Sequence, residues 1–157
     1  MIHTSAQETI NTLNAIFEKN KDKRICVLAT SCCGKTTLVQ QIPNCVDLDD
    51  VLWPQLTKEE EDYICQKPWT NEIGAFTSKL VHERISIKPG HPLFSLILID
   101  CDVIVYVDIT DELLAEHCKQ RGSNFIDVKN VKNAIENRWN NEREKKDKTF
   151  YYVCVTE

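Results

Sequence analysis

The sequence predicts an α/β fold in three layers, with a mostly parallel five-stranded sheet between two layers of helices. Three observations lead there. Short apolar runs alternate along the chain with segments whose apolar residues recur at helical spacing. The run Ile25 to Leu28 leads into Ala29-Thr30-Ser31-Cys32-Cys33-Gly34-Lys35-Thr36-Thr37, and then into Leu38, Val39 and Ile42 on one helix face. That is strand, loop and helix, the order in which backbone amides can cradle an anion. Finally, 157 residues suffice for one domain with its own core. Residues 1–157 therefore read as a single domain, without internal repeat or low-complexity linker.

Composition narrows the function classes. A hydrophobic content of 42% and a charged content of 27% are ordinary for a globular protein. The net charge of −5 and pI near 5.4 argue against non-specific binding to nucleic acid or an anionic membrane. No apolar run is long enough to span a bilayer. The N-terminus lacks the basic and apolar regions of a signal peptide, so a cytoplasmic location is expected. Of the eight cysteines, only Cys32 and Cys33 lie close together, and there is no C-x-x-C pair. Neither a zinc site nor a disulfide framework is expected. Cys26 and Cys154 read as small hydrophobes. Cys32 and Cys33 sit in the loop, where cationic surroundings would make them reactive. The plainer reading is that loop positions tolerate small residues.

In chain order, Ser5-Ala6-Gln7-Glu8 reads as a capping box, with Ile10, Leu13, Ile16 and Phe17 as the stripe of an N-terminal helix, Ser5–Lys19. Strand one is expected at Arg24–Leu28, and the helix after the loop ends before Pro43. Cys45–Asp50 reads as a short buried strand ending in carboxylates. Thr57 and Glu60 form a second capping box. Ile73, Phe76, Leu80 and Val81 mark a helix reaching Arg84. Thr110 caps a helix that stops at Gly122, and Asp127 caps a long one through Val128, Val131, Ile135 and Trp139. Between these two helices, residues 121–127 read as a short lid. Phe150–Val155 closes the sheet.

The stretch from Ile85 to Val107 is ambiguous. Leu93–Ile99 and Val103–Val107 both look like strands, yet adjacent parallel strands need a longer crossover than Asp100-Cys101-Asp102. One reading has a strand at Ile85–Lys88, a buried helix at Leu93–Ile99 and strand four at Val103–Asp108. The other makes Leu93–Ile99 strand three, with Asp100 as a carboxylate on the Mg²⁺ side. Apolar runs this short do not separate helix from strand by periodicity.

The candidate site residues cluster around the loop. Ser31, Cys32, Cys33, Gly34, Lys35, Thr36 and Thr37 would cradle phosphates, with Lys35 on the terminal ones and the Thr36 hydroxyl on Mg²⁺. Asp47, Asp49 and Asp50 lie where ligands bind in an open α/β sheet, at the C-terminal ends of strands. One of them can assist the metal and another can bind or deprotonate a hydroxyl. At least one is expected to be only a helix cap, with Asp50 the choice. Arg121 and Arg138 flank the lid and can reach a transferring phosphate. Arg143 belongs to a solvated helix end. Arg84, Gly90 and His91 are candidates for an acceptor, and Trp53, Trp69 and Trp139 for packing.

In this order of parts the chain resembles the nucleoside-monophosphate kinase and shikimate kinase group of small P-loop kinases. The residues that carry the likeness are Gly34-Lys35-Thr36-Thr37, Val46-Asp47-Leu48-Asp49, Val103-Ile104-Val105-Tyr106-Val107-Asp108, Thr110-Asp111-Glu112-Leu113-Leu114 and Arg121-Gly122. The resemblance implies a P-loop NTPase type of fold and ATP-dependent phosphoryl transfer with Mg²⁺ to a small metabolite or nucleotide. It implies catalytic roles for Lys35, Asp49, Arg121 and Arg138, and metal roles for Thr36 and Asp47. It places the acceptor on Asp49 and Gly90, and the position of Arg84 before the same loop adds it to that set. Three features depart from it. Pro89-Gly90-His91 stands where the shikimate branch has three glycines, the lid is short, and no helix follows the last strand. The N-terminal helix is expected to take the packing role of that last helix. A regulatory ATP-binding protein without transfer activity is the alternative. A GTPase switch fits poorly, since no D-x-x-G follows the loop.

Overall fold

The structure, a computed structural model, describes residues 4–30, 34–66, 70–145 and 147–155. Five strands form one sheet in the order β2-β3-β1-β4-β5, every pair parallel. They are β1 (Ile25–Ala29), β2 (Val46–Asp47), β3 (Leu93–Ser95), β4 (Val103–Ile109) and β5 (Thr149–Val155). Among the described residues seven helices surround it: α1 (Thr4–Lys19), α2 (Lys35–Gln41), α3 (Leu48–Leu52), α4 (Lys58–Ile64), α5 (Asn71–Arg84), α6 (Asp111–Arg121) and α7 (Phe125–Lys145), with a 3-10 turn at Trp53–Gln55.

The central strands are apolar throughout because both faces are covered. Every residue of β1 is buried, and its side chains alternate between two cores. Ile25, Val27 and Ala29 face α1, α2 and α6 through Leu13, Leu38 and Leu114. Cys26 and Leu28 face α3, α5 and α7 through Leu48, Val81 and Ile135. The expected α/β architecture, with a parallel sheet and helices on both sides, is therefore present. No helix among the described residues is long and apolar enough to cross a membrane.

Several local readings hold. The Thr57–Glu60 capping box is complete, with Thr57 N–H donating to Glu60 (2.9 Å) and Glu60 N–H to Thr57 Oγ1 (3.2 Å). Thr110 caps α6, and Gly122 ends it in a left-handed conformation (φ 69°). The stripe on α1 is buried, and Phe17 meets Phe94 edge-on at 6.4 Å. The helix already includes Thr4, one residue before the expected cap.

The ambiguous stretch resolves against the helical reading. Leu93–Ser95 is a strand, while Ile85–Ile87 is extended without a partner strand and Lys88 makes only an isolated bridge with His91. The two apolar runs are indeed not neighbours, because β1 lies between β3 and β4. Residues 96–102 make the crossover without a helix. A three-residue β3 leaves only about 10 Å of height to recover. The Ser95 hydroxyl turns the chain, accepting from Ile97 N–H (2.8 Å) and donating to Ile97 O (2.6 Å). Ile99 and Cys101 then pack on the face carrying Cys26 and Ile104. Arg24 closes the crossover at the N-terminal edge, binding Asp100 (2.8 Å) and Asp102 (3.1 Å). Asp100 thus stands at the sheet edge opposite the loop, which removes it as a metal-side carboxylate there.

Candidate functional site

β1 ends at the C-terminal edge of the sheet with Thr30 just beyond it, and α2 follows after Gly34. Chain connections diverge here, from β1 towards β2 and from β4 towards β5. A crevice forms beyond the strand ends at such a switch point, and open α/β sheets bind ligands there. Ser31, Cys32 and Cys33 lie outside the described residues, as do the side chains of Lys35 and Thr36. The backbone puts Lys35, Thr36 and Thr37 in the first turn of α2, and Leu38 N–H makes the first helical bond to Gly34 O at 3.0 Å. Gly34 is the residue before the helix, at φ 91° in the left-handed region, and a Cβ built on it would meet no described residue within 4 Å, its chain neighbours aside. The described residues thus leave space at the closing glycine of the motif. Among them, no side chain caps the helix.

Thr30 adds an independent observation. It is 2% exposed, and its hydroxyl is the buried side-chain polar atom that lacks a hydrogen-bond partner among the described residues. A buried hydroxyl left unpaired costs about 1–3 kcal/mol, so such atoms are rare in folded proteins. This one belongs to the residue that joins β1 to the loop.

The carboxylates after β2 reach the same edge, two strands away and so roughly 10 Å across the sheet. The expected strand is only two residues long, and Leu48 already starts α3. Asp47 is the cap of that helix, its Oδ1 accepting from Asp49 N–H at 3.1 Å. The capping role expected of Asp50 therefore falls on Asp47, while Asp49 and Asp50 are exposed in the first turn of α3. Carboxylates there are favoured by the helix dipole.

Other predicted residues lie elsewhere. Arg84 ends α5 near the start of β3 and is pinned to Glu60 by two bonds (2.7 and 2.8 Å) and to Gln55 O (3.0 Å). Gly90 approaches the carbonyl of Lys21, ahead of β1. Both stand at the N-terminal edge, away from the loop. Arg121 is the exposed last residue of α6. Arg138 is exposed on α7, 3.8 Å from Glu142. The expected lid is a three-residue turn, 122–124, because α7 begins at Phe125 with Asn124 Oδ1 accepting from Asp127 N–H at 3.2 Å. Asn124 is therefore the cap in place of Asp127.

A polar cluster at the end of β4 escapes the sequence reading. Lys132 is 7% exposed on α7. Its ammonium donates to Ile109 O (2.5 Å) and Asp111 (2.8 Å) and lies 3.6 Å from Asp108. Asp108 also accepts from Tyr106 (3.2 Å) and Tyr152 (2.5 Å). Burial pulls the Lys132 pKa down, but Asp111 and Asp108 more than offset it and hold the value above the usual lysine range. Burial, followed by Asp108, pushes both tyrosines above the ordinary phenol range. Two hydrogen bonds and the Asp108 ion pair engage the buried Lys132 ammonium, so it braces the sheet. Its signal was legible, since Val128, Lys132, Ile135 and Trp139 form one buried stripe with a lysine at an apolar position.

Among the described residues, no group of three or more His, Cys, Asp or Glu could hold a metal by itself. The described cysteines are free thiols, and burial pushes Cys45 up to about 12. No protein-family model matches the chain, and no curated protein matches it.

Proposed function

We propose that the chain is a nucleotide-binding protein of the P-loop type that transfers a phosphoryl group from ATP to a small metabolite or nucleotide. The observation that carries this reading is the pairing of the buried, unpartnered Thr30 hydroxyl with the open, left-handed Gly34, one on each side of a loop at the switch point. A phosphate held against that backbone would supply the partner that Thr30 lacks.

The residues fit ATP with Mg²⁺ in chemical type. Mg²⁺ keeps most of its ligands as water and phosphate oxygen, so one or two hydroxyl or carboxylate groups suffice. Thr36 and Asp47 would hold the metal side, and Lys35 the terminal phosphates. Bound ATP and Mg²⁺ supply the transferable group and its charge neutralisation. Asp49, exposed on the same edge, would accept the proton of the acceptor hydroxyl. Arg121 would reach the transferred phosphate from the end of α6. The chain's resemblance to small P-loop kinases supports the same assignment, and we place its activity in the cytoplasm.

One observation favours a second reading, ATP binding without transfer. β3, one of the two strands beside β1, ends at Ser95, whose hydroxyl is committed to Ile97, and apolar residues follow it. No carboxylate stands there to orient a metal.

The deciding experiment measures ADP release from Mg-ATP against nucleoside monophosphates and small hydroxylated metabolites, with Lys35→Ala as control. Release that needs both an acceptor and Lys35 supports the kinase. Lys35-dependent ATP binding without release supports the second reading. Absence of ATP binding overturns both.

A further inference from the structure

A cavity of about 420 Å³ lies near the N-terminal edge of the sheet, under the ends of α3 and α5. Its apolar wall is Val46 and Leu93, which begin β2 and β3, with Val51, Ile85 and Ile87, and Gln55 and Ser86 add uncharged polar groups. Its mouth carries Lys88 and His91. A turn positions this pair. Lys88-Pro89-Gly90-His91 closes with His91 N–H donating to Lys88 O at 3.1 Å, and Gly90 has φ 82°. Proline in the second place and a left-handed glycine in the third define a type II turn. The first and fourth residues also form an antiparallel bridge. Directly opposed bridge residues hold their Cβ atoms about 5 Å apart, so the two side chains stand together.

The charge pattern around the mouth is one-sided. The chain has 24 acidic residues against 19 basic ones, yet no carboxylate lines this cavity. Arg84, also at the rim, is already neutralised by Glu60. Lys88 and His91 have no side-chain hydrogen bond or ion pair among the described residues. A lysine without a carboxylate partner, with an imidazole beside it that can donate a hydrogen bond, both over an apolar surface, is complementary to an anion with a hydrocarbon body. The chamber volume lies in the range typical of small-ligand pockets, roughly 300–1,000 Å³.

We propose that this cavity binds a small apolar carboxylate. The carboxylate sits between Lys88 and His91, and the hydrocarbon part fills the space between Val46, Val51 and Leu93. A singly charged group suits the site better than a phosphate dianion, because the apolar walls begin immediately behind the two bases and would strip water from any larger charge. The site is distinct from the phosphate-loop edge and does not depend on the function proposed there.

The test is a titration of the isotope-labelled full chain with octanoate, using octanol as the uncharged control and octyl phosphate as the dianion. Octanoate is expected to shift the amides of residues 46–51 and 85–93 saturably, and to bind at least tenfold more tightly than either control. The double variant Lys88→Ala, His91→Ala changes exposed side chains only and should lose at least tenfold in octanoate affinity while binding octanol unchanged. Val51→Trp should fill the chamber and abolish both. If Val51→Trp fails to fold, the double variant still decides. Octanoate binding no tighter than octanol, unchanged octanoate affinity in the double variant, or shifts mapping to other residues would each overturn the proposal. Tighter binding of octyl phosphate would overturn the assignment of a carboxylate.

Discussion

Lys132 of α7 lies 2.8 Å from Asp111 of α6, and the same ammonium holds the carbonyl of Ile109 at the end of β4. One buried cation thus ties two helices to the central sheet. Lys129 shares Asp111 at 2.7 Å, and both lysines hold the Asp111 carboxyl below its usual range, Lys129 most strongly. Lys132→Met keeps the apolar stem and removes the charge. It leaves the Ile109 carbonyl without its donor, which costs about 2 kcal/mol. The urea midpoint should fall at unchanged slope. An unchanged midpoint would show that the cluster does not brace the fold.

The N-terminal helix is expected to be part of the core. Leu13 is fully buried, among Val27, Val105 and Val155, and Asn20 Nδ2 donates to the Tyr151 hydroxyl on β5 at 3.2 Å. Leu13→Ala should cost about 2–5 kcal/mol, as large-to-small changes in packed cores do. Deleting residues 1–20 would uncover one face of the sheet and should unfold the domain. A truncated chain that melts cooperatively at the full-length temperature would refute this.

Residues with a strong local rule were legible in the sequence. Thr57, Thr110 and Gly122 do what capping chemistry demands, and β1 is a buried apolar run flanked by turns. Leu93–Ile99 was not legible, because its first three residues are a strand and the rest a return crossover, and both parts carry apolar residues: Leu93, Ile97, Leu98 and Ile99 pack on the face holding Cys26 and Ile104, and Phe94 on the other. Ile85 and Ile87 imitate a strand because an extended segment buries alternate residues even without a partner strand. The cap fell three residues before the expected Asp50, since both Asp47 and Asp50 can cap and only the start of α3 chooses between them. Within the candidate site, the motif order placed Gly34, Asp47 and Asp49 at one sheet edge. Arg84 and Gly90 reached the other edge because their positions depend on β3 beginning at Leu93, which local sequence did not fix.

The Arg84–Glu60 pair predicts an acid dependence. Hydrogen bonds from Arg84, and then from the Thr57 amide, hold the Glu60 carboxyl down at about 2. An unfolded glutamate titrates near about 4.3. A depressed folded pKa stabilises above the unfolded value and loses that contribution as pH falls through the folded one. Glu60→Gln should therefore be less stable than wild type at pH 6, and the difference should shrink between about pH 4.3 and 2. The pair lies at the surface, so 1 M salt should narrow the difference as well. A difference constant across that range would assign the loss to packing and capping alone.

Thr30 and Gly34 make the sharpest test of the loop, because they predict opposite signs. Thr30→Val is nearly isosteric and removes a hydroxyl that is buried without a partner. In the ligand-free protein it should raise stability by about 1 kcal/mol. Gly34→Ala meets no steric obstacle, yet it forces an L-residue to φ 91° and should cost about 1–2 kcal/mol. If the loop holds phosphate, both variants should nevertheless weaken Mg-ATP. Thr30→Val would lose the hydroxyl's contact, and Gly34→Ala would put a methyl group into the space the ligand needs. Thermal melts with and without Mg-ATP separate these terms. A Thr30→Val protein that is more stable and binds Mg-ATP as wild type would mean that the hydroxyl is unsatisfied but takes no part in ligand binding. A less stable one would mean that water or the protein satisfies the hydroxyl, and the loop would lose the observation that most favours a bound phosphate.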